Sequence, residues 1–145
     1  MPTRHATTHW TGDLMSGSGS VSLNSSNAGD FPVSFPSRAG EPEGQTSPEE
    51  LIAAAHSACY SMSLAHALAQ AGTPVLALDV DASVTLGRDE TGFVITSIVL
   101  RVTASVPGVS EQDFQAMAQQ AKESCPVSRA LAAVPEISLE ASLDS

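Results

Sequence analysis

Lysine occurs once, at Lys122, and the positive charge of this 145-residue chain rests on six basic residues against sixteen acidic ones, a formal net charge of −10. A chain so poor in cations repels phosphate backbones and anionic headgroups, which argues against nucleic-acid binding and electrostatic membrane docking. Charged residues of either sign make up 15% of the chain, against roughly 25% in an ordinary soluble domain; this deficit points to surface covered in an oligomer. No run approaches the ~20 apolar residues that span a bilayer. The start, Met1-Pro2-Thr3-Arg4-His5, leads into a polar stretch without the apolar region of a signal peptide, so a cytoplasmic protein is expected. Cysteine is almost missing too. Cys59 and Cys125 are too few and too far apart for a disulfide scaffold or a zinc site of the two-pair kind, and in a reducing compartment they are either inert or chemically employed.

What is present reads as one domain, residues 1–145, with one core. Two short polar stretches, around His5 to Leu14 and Val21 to Asn24, flank Gly17-Ser18-Gly19-Ser20 and predict two strands joined by a turn. Phe31 to Pro36 fits an edge strand, where proline is tolerated, and a loop from Ser37 to Thr46 carries Arg38, Glu41 and Glu43. Ser47-Pro48-Glu49-Glu50 places a capping residue, a first-turn proline and an acidic residue at the third position, and so starts a helix. That helix runs through an Ala-rich stretch containing Cys59 to about Ala71, where Gly72 and Pro74 stop it. Leu76 to Leu86 and Val94 to Val106 alternate with the two-residue period of strands around a turn at Arg88 to Gly92. Ser110 caps a helix to about Ser124, Cys125-Pro126 interrupts it, a short helical turn covers Val127 to Ala133, and Ile137 to Ala141 is a last strand. Strands and helices are grouped rather than alternated, which favours an α+β fold with antiparallel pairing, its sheets packed around a long central helix.

A cysteine acts as a nucleophile only as the thiolate, and a positive neighbour, a helix N-terminus or a hydrogen-bond donor is needed to make one near neutral pH. Cys59 sits mid-helix among alanines that raise its pKa. Among the few basic residues Arg38 stands out, because its loop leads directly into the Cys59 helix. Cys125 precedes Pro126 at a helix start, where the dipole favours a thiolate. These arguments leave open which sulfur attacks first, and they leave open that both cysteines are simply small core residues. Other polar residues read as structural: Glu50 as a capping residue, His56 as a core or interface histidine, His5 and His9 as surface strand positions without further ligands, and Asp79 and Asp81 as the solvated face of a strand.

Ser47-Pro48-Glu49-Glu50-Leu51-Ile52, Ala54-Ala55-His56-Ser57-Ala58-Cys59-Tyr60-Ser61-Met62 and Cys125-Pro126-Val127-Ser128 together resemble the paired motifs of the OsmC (osmotically inducible protein C) and Ohr (organic hydroperoxide resistance) thiol peroxidases. His9-Trp10-Thr11-Gly12-Asp13, Phe35-Pro36-Ser37-Arg38 and Val106-Pro107-Gly108-Val109 are similar to the OsmC branch in particular. Ser47 stands where an asparagine is common, and both cap helices. The resemblance implies reduction of organic hydroperoxides without a metal or organic cofactor. Cys59 is then the peroxidatic thiolate, Cys125 the resolving thiol that forms a disulfide with it, Arg38 the group that holds the thiolate and polarises the peroxide, and Glu49 the carboxylate that orients Arg38. It also implies an external dithiol reductant such as a lipoylated protein. Glu49 and Cys59 lie ten residues apart, a rise of about 15 Å on one straight helix, so an intertwined homodimer with composite sites is expected, Arg38 and Glu49 from one subunit meeting Cys59 and Cys125 of the other. The rival expectation is a non-catalytic binder of an apolar small molecule or lipid in an interface pocket.

Overall fold

The computed structural model describes residues 1–144, and the chain falls into two compact units, Met1–Leu51 and the stretch from Ile52 onward. The first unit holds an antiparallel meander, β1 (Thr7–Thr11), β2 (Ser18–Ser22) and β3 (Asp30–Val33), in the order β1-β2-β3. The β1–β2 turn lies earlier than the Gly17–Ser20 repeat suggests. Gly12 takes a φ of 91°, Asp13 Oδ1 accepts from the Ser16 N–H and hydroxyl at 2.7 Å each, and Gly17 already donates back to the Asp13 carbonyl. Gly19 belongs to β2, where a Cβ would come within 2.8 Å of the Trp10 ring on the paired strand. The small residues there make room for an indole rather than form a turn.

A second correction concerns the segment before Arg38. The strand expected over Phe31 to Pro36 ends at Val33, and Ser34, extended at φ −150° and ψ 158°, caps a short helix α1 (Phe35–Ala39) by accepting the Ser37 N–H. Arg38 therefore rides on a helical turn, not on an irregular loop. The chain returns to β3 through a turn at Pro42–Gln45 with Glu43 and Gly44 at positive φ, and Thr46 bridges to Val33. Ser47 then caps α2 (Pro48–Gln70), its hydroxyl accepting the Glu50 N–H at 3.1 Å. The Glu50 carboxylate takes the Thr46 hydroxyl rather than closing a capping box onto Ser47.

The second unit is built around α2, whose buried residues His56, Tyr60, Leu64 and Leu68 recur every four positions and make one face. Gly72, at a φ of 84°, ends the helix. β4 (Ala77–Asp89) and β5 (Gly92–Ser105) form the expected hairpin, closed by Glu90-Thr91 with the Asp89 carboxylate holding the Thr91 N–H and hydroxyl. Ser110 caps α3 (Glu111–Ser124), α4 (Pro126–Ala130) follows directly, and β6 (Glu136–Asp144) pairs with β5. That last pair is parallel, so the sheet β4-β5-β6 is mixed where antiparallel pairing alone was expected. The reason is the helical crossover through α3 and α4, which carries the chain back to the start of β5, as a parallel pair requires. The architecture is α+β.

One sheet face and two helices share the core of this unit: Tyr60, Leu64 and Leu68 from α2, Leu100, Val102 and Ala104 from β5, Phe114, Ala118 and Ala121 from α3, and Cys125. The other sheet face is wet, with Asp79 and Asp81 exposed and Arg101 bridging Asp81 and Glu140. Among the described residues no helix is long and apolar enough to cross a membrane. Leu64 is fully enclosed, so Leu64→Ala is expected to lower unfolding free energy by about 2–5 kcal/mol, read as an earlier urea midpoint at unchanged slope; a cost below about 1 kcal/mol contradicts this core assignment.

Candidate active site

In the first unit Arg38 and Glu49 meet as a fork on a fork. Arg38 Nε donates to Glu49 Oε1 at 2.9 Å and Nη2 donates to Oε2 at 2.8 Å. The glutamate is buried while the guanidinium keeps about a third of its surface, 34%. Its hydrogen bonds to Glu49 raise the Arg38 pKa further, so the cation is permanent, and three of its five N–H groups stay free to donate elsewhere. Glu49 stands in the first turn of α2, where the helix dipole favours a carboxylate. Arg38 lines a cavity of about 380 Å³ together with apolar surface from Trp10, Leu14, Val21, Val33, Phe35 and Leu51. One fixed charge in an apolar chamber suits a ligand with a small polar head on a hydrocarbon body.

In the second unit the two sulfurs lie together. Cys59 Sγ and Cys125 Sγ are 3.1 Å apart, closer than a loose van der Waals contact and longer than the ~2.05 Å of a disulfide. Both are free thiols, Cys59 half-buried and Cys125 fully buried. The corner that presents Cys125 is written in the sequence: it closes α3 by donating its N–H to Ala121, Pro126 keeps it out of the α region at ψ 123°, and α4 starts at once. Burial, then the hydrogen bond with Cys125, push the Cys59 thiol up. Burial acts upward on Cys125 as well, but the Ser128 N–H, the Cys59 thiol, the Ser128 hydroxyl and the Val127 N–H together bring it down.

The sequence reads His56 as a core or interface histidine and gives Ser128 no role of its own; the structure sets the two together behind Cys125. His56 is wholly buried, and its Nε2 lies 2.7 Å from the Ser128 hydroxyl oxygen, itself buried. Burial lowers the His56 pKa from 6.5, so the ring is neutral near pH 7. Tyr60 donates its hydroxyl to the Ala118 carbonyl at 2.9 Å, tying α2 to α3 beside the sulfurs. A signal existed: His56 precedes Cys59 by three residues and Ser128 follows Cys125 by three, which puts each on its cysteine's side of a helix. Among the described residues no cluster of three or more His, Cys, Asp or Glu side chains is arranged to hold a metal.

The family model for OsmC-like protein matches residues 40–140. The chain is 43% identical over 137 residues to Peroxiredoxin OsmC of Escherichia coli (strain K12), covering 94% of each chain. It is 31% identical over 110 residues to the organic hydroperoxide resistance protein of Xanthomonas axonopodis pv. citri (strain 306), covering 74% of this chain and 75% of that one. The crystal structure of an organic hydroperoxide resistance protein from Elizabethkingia anophelis superposes with a TM-score of 0.76 at 28% identity, covering 99% of this chain and 98% of that one.

A histidine kept neutral by burial has a consequence for stability. Its folded pKa lies below 6.5, so the unfolded chain binds the extra proton first. Stability is complete above about pH 6.5 and is lost as pH falls from there towards the folded value, by at most about 1.4 kcal/mol per pH unit. Denaturant titrations between pH 7 and 5 should show this slope, and His56→Leu should flatten it; an unchanged slope in the variant places the proton elsewhere.

Proposed function

Taking as premise that the chain belongs to the OsmC-like protein family, we propose that it is a thiol-dependent peroxidase that reduces organic hydroperoxides to alcohols in defence against oxidative stress. One observation carries the mechanism: the sulfur of half-buried Cys59 lies 3.1 Å from that of buried Cys125. A peroxide arriving from solvent meets Cys59 first. The Cys59 thiolate attacks the terminal peroxide oxygen, the O–O bond breaks, the alkoxide takes a proton and leaves as the alcohol, and Cys59 is left as the sulfenic acid. Cys125 then attacks the Cys59 sulfur, water leaves and a disulfide closes. An external dithiol, such as that of a lipoylated protein, returns both electrons in a reducing compartment such as the cytoplasm.

Within its own unit Cys59 is held above the usual thiol range, so the reading needs a cation beside it. Arg38 is that cation in this proposal: Glu49 fixes its plane, and its remaining N–H groups donate to the sulfur and to the oxygen that gains charge. The apolar walls of the Arg38 cavity favour alkyl and aryl peroxides over hydrogen peroxide. α2 is unbroken from Pro48 to Gln70, and ten residues along it rise about 15 Å. The proposal therefore takes Arg38 and Glu49 from one subunit and both cysteines from the other, in a symmetric homodimer where residues 1–145 act as one functional domain. The exposed row Ala54, Ala58 and Met62 on α2, with Met62 at 69%, supports a covering partner. The cavity alone also suits a non-catalytic binder of apolar molecules, but that reading leaves the paired thiols without a purpose.

One equivalent of cumene hydroperoxide should cost the protein two hydrogens by mass, located as a Cys59–Cys125 disulfide. Cys59→Ser should abolish turnover, and Cys125→Ser should leave a sulfenic or overoxidised Cys59; binding of the peroxide with no mass change instead selects the binder. Mixing inactive Arg38→Ala and Cys59→Ser subunits should restore turnover, because a heterodimer then holds one intact composite site of its two. No recovery in heterodimers of proven composition rules out the shared site.

A further inference from the structure

We propose that His56 and Ser128 form a chain of hydrogen-bond donors aimed at Cys125 and act as positioning residues for disulfide closure, holding the second sulfur ready as the nucleophile. The inference rests on the reading of Cys125 as the resolving thiol. A neutral imidazole carries one N–H, and a serine hydroxyl has one proton to give. His56 Nδ1 is buried without a hydrogen-bond partner, while Nε2 is 2.7 Å from Ser128 Oγ. With the proton on Nδ1, an N–H would be buried unpaired, and Ser128 would spend its own proton on the ring. With the proton on Nε2, only a lone pair goes unmatched, the lesser cost. The ring then donates to Ser128, which leaves the Ser128 proton free for the Cys125 sulfur at the N-cap of the same short helix, three residues back, whose thiol the Ser128 hydroxyl helps to bring down.

Each link strengthens the next, because a hydroxyl that accepts from an N–H is a better donor to an anion. Other titratable groups do not compete for this task. Tyr60 on α2 spends its hydroxyl on Ala118, Lys122 on α3 spends its ammonium on the Ile137 carbonyl, Arg129 on α4 is exposed, and Cys59 is the reaction partner. In the closing step the Cys125 thiolate gives an electron pair to the Cys59 sulfur, the S–S bond forms and the S–O bond of the sulfenic acid breaks. Hydroxide leaves with a solvent proton as water; Cys125 is oxidised and the sulfenic sulfur reduced. The donor chain lowers the proton cost of forming that thiolate without touching the first step.

The test follows closure directly in the full-length protein after one equivalent of tert-butyl hydroperoxide, by quenched-flow mass spectrometry from pH 5 to 10. Losing one charge-assisted hydrogen bond should raise the Cys125 titration by about one unit or more; since a more basic thiolate is also the better nucleophile, Ser128→Ala should slow closure about three- to tenfold at pH 7. The defect should vanish at alkaline pH, where the thiolate forms unaided. Ser128→Thr should restore the rate, and His56→Leu should shift the profile in the same direction by less. In a Cys59→Ser background, the ultraviolet absorbance of the thiolate should titrate higher when Ser128→Ala is added, a readout independent of turnover. Slowing by the same factor at every pH, or an unmoved thiolate titration, overturns the inference while leaving the peroxidase reading intact. If the unsubstituted protein forms no Cys59–Cys125 disulfide at all, that reading fails and takes the inference with it.

Discussion

The approach of two sulfurs to 3.1 Å across the Cys125-Pro126 corner is the contact on which the rest of the second unit is organised. It requires a helix with small side chains around Cys59, because a larger residue would hold α2 away from the corner. It also requires a break between α3 and α4 at one position, which Pro126 enforces by excluding the α region for the residue before it. The Tyr60 hydroxyl on the Ala118 carbonyl and the buried Leu64 and Phe114 lock α2 and α3 in register on either side. Two sulfurs held by a close-packed core cannot drift apart by more than side-chain rotation allows.

The Arg38–Glu49 pair imposes a comparable constraint on the first unit. Burying a carboxylate is costly unless its acceptors are filled, and the bidentate fork fills one lone pair on each oxygen while fixing the guanidinium plane. The chain carries ten more acidic than basic charges, so a lysine at this position would be a mobile point charge drawn to any of several carboxylates. The planar fork accepts one glutamate in one geometry and keeps donors to spare. Ser34 and Ser47 hold the two partners in place from opposite ends, each as the cap of the helix that carries one of them.

Much of this was legible in the residues, and the failures have identifiable causes. α2, α3 and the β4–β5 hairpin announce themselves because caps, stops and periodicity agree. The helix that carries Arg38 is hidden in the sequence although Ser34-Phe35-Pro36 has the same serine cap and early proline as Ser47-Pro48, because a short run of aromatic and proline residues reads equally well as an edge strand. The Gly-Ser repeat reads locally as a turn, whereas the demand for a small residue at Gly19 comes from Trp10 on the neighbouring strand, a tertiary fact. The parallel seat of β6 is likewise set by a crossover that no local window contains. Of the site, Cys59, Cys125, Arg38 and Glu49 stood out by residue type and by family resemblance, whereas the His56–Ser128 pair, separated by 72 positions, became visible only when the fold brought it together.

The two sulfurs are tuned in opposite directions, and that asymmetry bears on why such chemistry would be divided between units of the chain. The thiol of Cys59, the half-buried member, is pushed up by its own surroundings, and that of Cys125, the buried member, is brought down. On the proposed mechanism, Arg38 reverses the order at the moment a substrate chamber is assembled around Cys59, drawing charge onto the accessible sulfur only where a peroxide can be held. Once Cys59 is oxidised it no longer competes for the shared proton, and the donors around Cys125 favour its thiolate again. On that proposal the order of attack is set by which sulfur has a cation beside it and which has neutral donors, with the two sulfurs 3.1 Å apart.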